Sequence, residues 1–186
     1  MPDADFTLNV AKQVEAMRKA GTFPTDDALV QLAAVFAQAF KGRKDEVALL
    51  QVSPEGRMIS FLFPTKFQKI GAIPLTSSHS LAAKTVREKR GEIVNNFSVY
   101  KHPTVFESID VSAAEKATPI QKIVSSPMIV DGKVVGVIQL SRKGKPGDRI
   151  GPDFTPSDLT ELNTAGTIVG KFIATMPAPA GKHVKK

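Results

Sequence analysis

The sequence predicts an α+β fold: one antiparallel β-sheet, with terminal helices on one face and a long helix-and-loop excursion on the other. Three observations carry that expectation. Two pairs of β-rich apolar runs fold back at turn-forming residues, one pair within 46–63 and the other within 122–142. A long, less regular stretch, Pro64 to Gln121, separates the pairs. Apolar residues at helical spacing open the chain and close it.

The elements follow in order. Phe6, Val10, Val14 and Met17 make a narrow apolar stripe on a modest first helix, which Gly21 and Pro24 stop. Thr25 caps a second helix, and Asp26 and Asp27 occupy its first turn, where the helix dipole favours negative charge. Leu29, Leu32, Ala33, Phe36 and Phe40 continue one apolar face, and Gly42 ends it. The period then changes. Glu46 to Val52 and Arg57 to Phe63 are joined by Ser53-Pro54-Glu55-Gly56, a hairpin signature. Within the excursion, Thr76 or Ser78 caps a helix running to Arg90, with Gly91 as its stop. A short apolar piece, Glu92 to Asn95, follows, and Asn96 to Thr118 reads as loop with a brief helical turn.

The second hairpin, Lys122 to Arg142, turns at Asp131-Gly132, a pair that tolerates the positive φ of a type I′ turn. After a loop at 143–152, Thr155 caps the last helix, Pro156 takes its first position and Asp158 completes a capping box. Phe154 and Leu159 are placed as a hydrophobic staple. Leu162, Gly166, Val169, Ile173 and Met176 continue the stripe. Pro177 to Gly181 cannot prolong a helix, so 177–186 is expected to be a disordered basic tail.

Composition narrows the function classes. At 186 residues, with 42% apolar and 23% charged, the chain can bury an ordinary core. It contains no cysteine, which removes disulfides, thiolate metal sites and thiol nucleophiles, and it fits a reducing, cytoplasmic setting. No segment reaches the roughly 20 apolar residues of a membrane span. Three histidines without clustered ligands argue against a structural zinc site. The net charge of +7 favours acidic partners, although Lys182, Lys185 and Lys186 supply part of it.

Several strings, in their order and spacing, resemble the GAF family, relatives of PAS sensors. They are Gly71-Ala72-Ile73-Pro74-Leu75, Gly91-Glu92-Ile93-Val94-Asn95-Asn96, His102-Pro103 with Phe106, Ser125-Ser126-Pro127-Met128, Asp131 to Ile138, and Asp153 to Leu159. The resemblance covers Thr25 to Ile173. It implies a GAF-like domain over 25–176, with 1–24 as a helical extension. It also implies a small molecule between sheet and excursion, and a sensory role rather than an enzymatic one. The family's cyclic-nucleotide motif does not match here. Without cysteine, neither bilin attachment nor the cysteine-dependent sulfoxide reductase activity of some relatives carries over.

Strand alternation proposes the ligand contacts. Val47, Leu49 and Gln51 share one face, and Val135, Val137 and Gln139 share another. Gln51 and Gln139 line a pocket, or else face solvent or serve loop backbone. Ser60 and Ser125 add hydroxyls if register allows, and Ile73 and Phe106 complete the set. Asn95, Asn96 and Phe97 lie where the excursion returns to the sheet; their amides read a ligand or shape a turn. Ser77, Ser78 and His79 hold an anion at a helix start or merely cap it. Lys84, Arg87, Lys89 and Arg90 form a basic cluster or a solvated face, and no aromatic series accompanies them, which argues against nucleic acid. No cofactor is indicated.

The expectation is therefore a stand-alone sensory domain that binds an unidentified small molecule. It would signal as a helix-mediated homodimer to a separate output protein. The second and last helices are its dimer surfaces, and leftover apolar residues such as Phe6, Val10 and Met17 would explain the first helix. The alternative is a protein-interaction adaptor with a filled core.

Overall fold

The computed structural model describes residues 5–21, 24–97, 118–145 and 147–176. Helix α1 spans Phe6–Ala20 and α2 spans Asp26–Ala39. Strands β1 (Val47–Val52) and β2 (Met58–Phe63) form the first hairpin. The excursion holds β3 (Ala72–Pro74), α3 (Leu81–Glu88) and β4 (Glu92–Val94). Strands β5 (Ile120–Val130) and β6 (Lys133–Lys143) form the second hairpin, and α4 (Pro156–Ile173) closes the described fold. The sheet has six strands in the order β3-β2-β1-β6-β5-β4, and every neighbouring pair is antiparallel.

The two hairpins meet through β1 and β6, so the strands furthest apart in sequence form the centre of the sheet. The excursion adds a short strand at each outer edge. Both are three residues long, too short to show a period of two in sequence, and β4 is the apolar piece at 92–95. Asp131 and Gly132 turn the second hairpin with φ of 48° and 74°, as a type I′ turn requires.

The helix layer follows the sequence closely. Thr25 accepts a hydrogen bond from the Ala28 N–H at 3.2 Å. The capping box is complete: Asp158 N–H donates to Thr155 Oγ1 at 3.2 Å, and Thr155 N–H donates to Asp158 Oδ2 at 2.8 Å. Leu162, Val169, Ile173 and Met176 are buried in one cluster with the apolar faces of α1 and α2. Gly42 closes the turn after α2 by donating its N–H to Ala37 O at 2.7 Å. A side chain there would lie 2.7 Å from Arg142 Nη1, so close approach explains the glycine.

Helix α1 packs on the rest of the fold: Phe6, Val10, Val14 and Met17 are at most 4% exposed and belong to the same core as α4. Phe6, Val10 and Met17 are therefore not left over on the surface. Helix α3 starts at Ser80, not at Thr76 or Ser78, because Ser80 Oγ accepts from the Ala83 N–H. Arg87 holds the preceding residues as a turn, with Nη1 donating to the carbonyls of Leu75 and Ser77. The helix stops at Lys89, whose φ of 50° is left-handed, two residues before Gly91.

Candidate functional site

Alternation along the strands separates the apolar residues into two layers. Val47, Leu49, Ile138 and Leu140 face the terminal helices. Leu50, Ile59, Phe61, Ile73 and Val137 face α3. A cavity of about 40 Å³ lies on the α3 side. Leu50, Phe61 and Ile73 form its floor, and Ile123 and Gln139 form the wall from the second hairpin. Ser80, Leu81 and Ala82, at the start of α3, cover it, and Phe97 closes one side. His79 sits at its exposed rim.

Most of this lining is apolar, so its buried polar chain stands out. Thr85 Oγ1 donates to Leu81 O at 2.9 Å. Its single hydrogen is thereby spent, and the 2.7 Å contact with Ser125 Oγ must use the Ser125 hydrogen. Gln139 Nε2 then donates to Ser125 Oγ at 3.1 Å. The chain runs in one direction from Gln139 through Ser125 and Thr85 to the α3 backbone. Ser125 is fully buried and Thr85 is 2% exposed, so these bonds are sheltered from water.

The structure sorts the expected site residues. Ile73, Phe97 and Gln139 line the cavity, and Ser125 supports Gln139 from behind. Gln51 and Ser60 do not join them. They pair with each other across β1 and β2 and lie on the helix face, where Gln51 Nε2 reaches the carbonyls of Ile173 and Met176 at 3.5 and 3.4 Å. Gln51 thus reaches carbonyls at and just beyond the end of α4, while its own Oε1 has no partner among the described residues. Val135 parts from Val137 and Gln139 because the register slips between Met128 and Ile129, turning Val135 toward the helices. Asn95 is occupied by the backbone of Phe154, and Asn96 is exposed. Phe106 lies outside the described residues.

Thr85 and Ser80 escaped the sequence reading. Thr85 carries no sequence signal, because a threonine in an amphipathic helix reads as neutral. Ser80 follows two other capping residues, Thr76 and Ser78, and nothing local distinguishes it from them.

The basic cluster is largely committed within the fold. Lys84 pairs with Glu92 at 2.6 Å, Arg87 holds the turn before α3, Lys89 donates to Gly132 O at 3.2 Å, and Arg90 pairs with Glu88 at 3.3 Å. A larger groove of about 320 Å³ lies between α1 and α2. Its polar side chains, Asn9, Lys12, Gln13 and Gln38, are exposed or half-buried, as on any furrow between surface helices. The cavity under α3 is the better candidate because its polar group is buried and oriented.

A second buried polar centre lies on the helix side. Arg142 donates from Nη2 to Phe40 O, packs its guanidinium 4.6 Å from the Phe154 ring, and lies against Gly151. Burial lowers its pKa from the ordinary value, and Glu46 and then Asp158 work against that shift. Its Nε has no partner among the described residues. Arg142 ties the end of α2 to β6 and to the approach to α4.

No protein-family model and no curated protein matches the chain. Solved structures match along most of its length. One is the GAF domain from an Acinetobacter phosphoenolpyruvate-protein phosphotransferase, with TM-score 0.67, 13% identity and 91% of each chain covered. Another is the GAF domain of the Coxiella burnetii phosphoenolpyruvate-protein phosphotransferase, with TM-score 0.59, 10% identity, and 90% of this chain and 94% of that chain covered. The fold is that of a GAF domain. A free methionine-R-sulfoxide reductase from Neisseria meningitidis also shares the GAF fold, with TM-score 0.57, 15% identity, and 94% of this chain and 93% of that chain covered. At such identities the likeness describes the fold alone. Among the described residues of this GAF fold, no helix is long and apolar enough to cross a membrane.

Proposed function

We propose that this chain is a regulatory domain that binds a small molecule between its sheet and α3. One observation carries the reading. Gln139 is 7% exposed and lines an apolar cavity, yet its side chain makes one hydrogen bond among the described residues. Its remaining acceptor and donor positions open on the cavity, where a ligand can complete them. The change on binding would travel through Phe97 and Asn95 to Phe154, and so to the first turn of α4.

The solved GAF domains support a sensory or regulatory role by analogy of fold. A reductase role has less support, since the chain has no cysteine to oxidise. The small size of the cavity favours a second reading, a protein-interaction adaptor with a filled core.

A thermal-shift screen of nucleotides and metabolites separates the two. A ligand at 100 times its Kd should add about 2.7 kcal/mol of stability. That gain should shrink in Gln139→Met. Absence of any stabilising compound, together with a defined protein partner, would replace the small-molecule reading with the adaptor. Light scattering of the same sample, with and without a hit, tests whether a homodimer carries the signal.

A further inference from the structure

We infer that the cavity under α3 takes the carboxamide-type edge of a neutral ligand: a primary amide, lactam or urea group on an apolar body. The inference rests on the small-molecule reading of that cavity and concerns what the molecule must look like.

The hydrogen count of the buried chain fixes the orientation of Gln139. If its side-chain amide were turned over, Oε1 would need a hydrogen from Ser125. Ser125 has one, and it goes to Thr85, whose own hydrogen goes to Leu81 O. Gln139 therefore offers Nε2 to Ser125, as observed at 3.1 Å. Its carbonyl oxygen and its second amide hydrogen stay uncommitted among the described residues. A neighbouring acceptor and donor on one planar group are complemented by a donor and acceptor on another, which is the edge of a carboxamide.

Ser80 adds to the match. Its Oγ already accepts from the Ala83 N–H at 3.2 Å, while its hydroxyl hydrogen has no acceptor among the described residues. Ser80 lines the same cavity and is 7% exposed. A ligand carbonyl there can accept from Ser80 as well as from Gln139.

Size and charge narrow the class. A cavity of about 40 Å³ admits about three water-sized groups, roughly the three heavy atoms of a carboxamide head. No lysine or arginine lines it. A carboxylate of the same shape would lose its hydration without gaining a strong cation. Leu81 and Phe97, at the cover and the side of the cavity, can meet an apolar body that follows the head.

The test is an NMR titration of the full ¹⁵N-labelled chain with benzamide, benzoate and toluene. Benzamide should shift the Gln139 side-chain amide signals and bind about tenfold more tightly than either of the others. In Gln139→Met, benzamide should fall to the level of toluene, while toluene still perturbs Leu50 and Ile123. Equal binding of the three probes, or preference for benzoate, would overturn the carboxamide class and leave the cavity as a ligand site. Failure of all three to perturb any cavity residue at tens of millimolar would overturn both readings. Should Gln139→Met not fold, the ranking of the three probes on the unmodified chain decides the matter.

Discussion

The side-chain amide of Asn95 grips the backbone of Phe154 at both ends. Asn95 Nδ2 donates to Phe154 O at 3.0 Å, and Phe154 N–H donates to Asn95 Oδ1 at 2.9 Å. The pair spans 59 residues of sequence and joins the end of β4 to the residue before the Thr155 cap of α4. Two residues beyond Asn95, Phe97 lines the candidate cavity. On the other side, Phe154 packs against Arg142, which holds the end of α2. The cavity and two terminal helices are thus linked by contiguous contacts.

That grip makes a prediction that separates clamping from turn chemistry. Asn95 is not among the residues at positive φ, so the backbone has no special need of asparagine there. Asn95→Asp should keep the acceptor for the Phe154 N–H but set a carboxylate against the Phe154 carbonyl. Both Asn95→Ala and Asn95→Asp should cost about 1–3 kcal/mol. Urea denaturation checks this; an Asp variant as stable as the parent would reassign Asn95 to a turn role.

Phe6 tests whether α1 belongs to the domain. Its ring meets Phe36 and Phe40 edge-on, with centroids 5.4 and 5.3 Å apart, and it is 1% exposed. Phe6→Ala should cost about 3–5 kcal/mol. Deleting residues 1–21 should give a chain without a cooperative thermal transition. A truncated chain that melts like the parent would make residues 1–24 a separable extension.

Gly136 occupies a crowded backbone position at the centre of the sheet. A Cβ built there falls within 3.0 Å of both Leu50 O and Met128 Cε. The methionine can move, but the Leu50 carbonyl is fixed by the pairing of β1 with β6. Gly136→Ala should therefore destabilise by about 3 kcal/mol or more, an overpacking cost that no rotamer change relieves. Chemical denaturation measures it, and a loss under 1 kcal/mol would mean that the central pairing yields more easily than close packing allows.

Lys143 predicts a pH dependence. Burial lowers its pKa from the ordinary lysine value, and this outweighs the opposing pull of Asp45 and Glu46. The folded state then releases this proton before the unfolded state does. Between the lowered folded value and the unfolded value near 10.4, the unfolded chain binds more protons, so this group makes stability rise with pH. Below that window the burial penalty is fully present. Comparing the parent with Lys143→Gln by denaturation at pH 8 and pH 10 isolates the effect. The parent should gain on the variant at the higher pH, and a loss would reverse the assigned direction.

What the sequence determined by itself is local. The Thr155 box, the Asp131-Gly132 turn and the stripe of Phe6, Val10, Val14 and Met17 are each written in residues a few positions apart. Short-range hydrogen bonds and the helical repeat decide them. The α+β layering followed from their order. Tertiary structure alone decided which strand faces which layer. A single register slip sends Val135 toward the helices, and pairing puts Gln51 and Ser60 on the face opposite Gln139. It alone made Thr85 part of the site, because that threonine matters only once Ser125, 40 residues away, is packed against it. Strand alternation is visible in one dimension, but facing and partnership belong to pairs of elements whose meeting no local signal records.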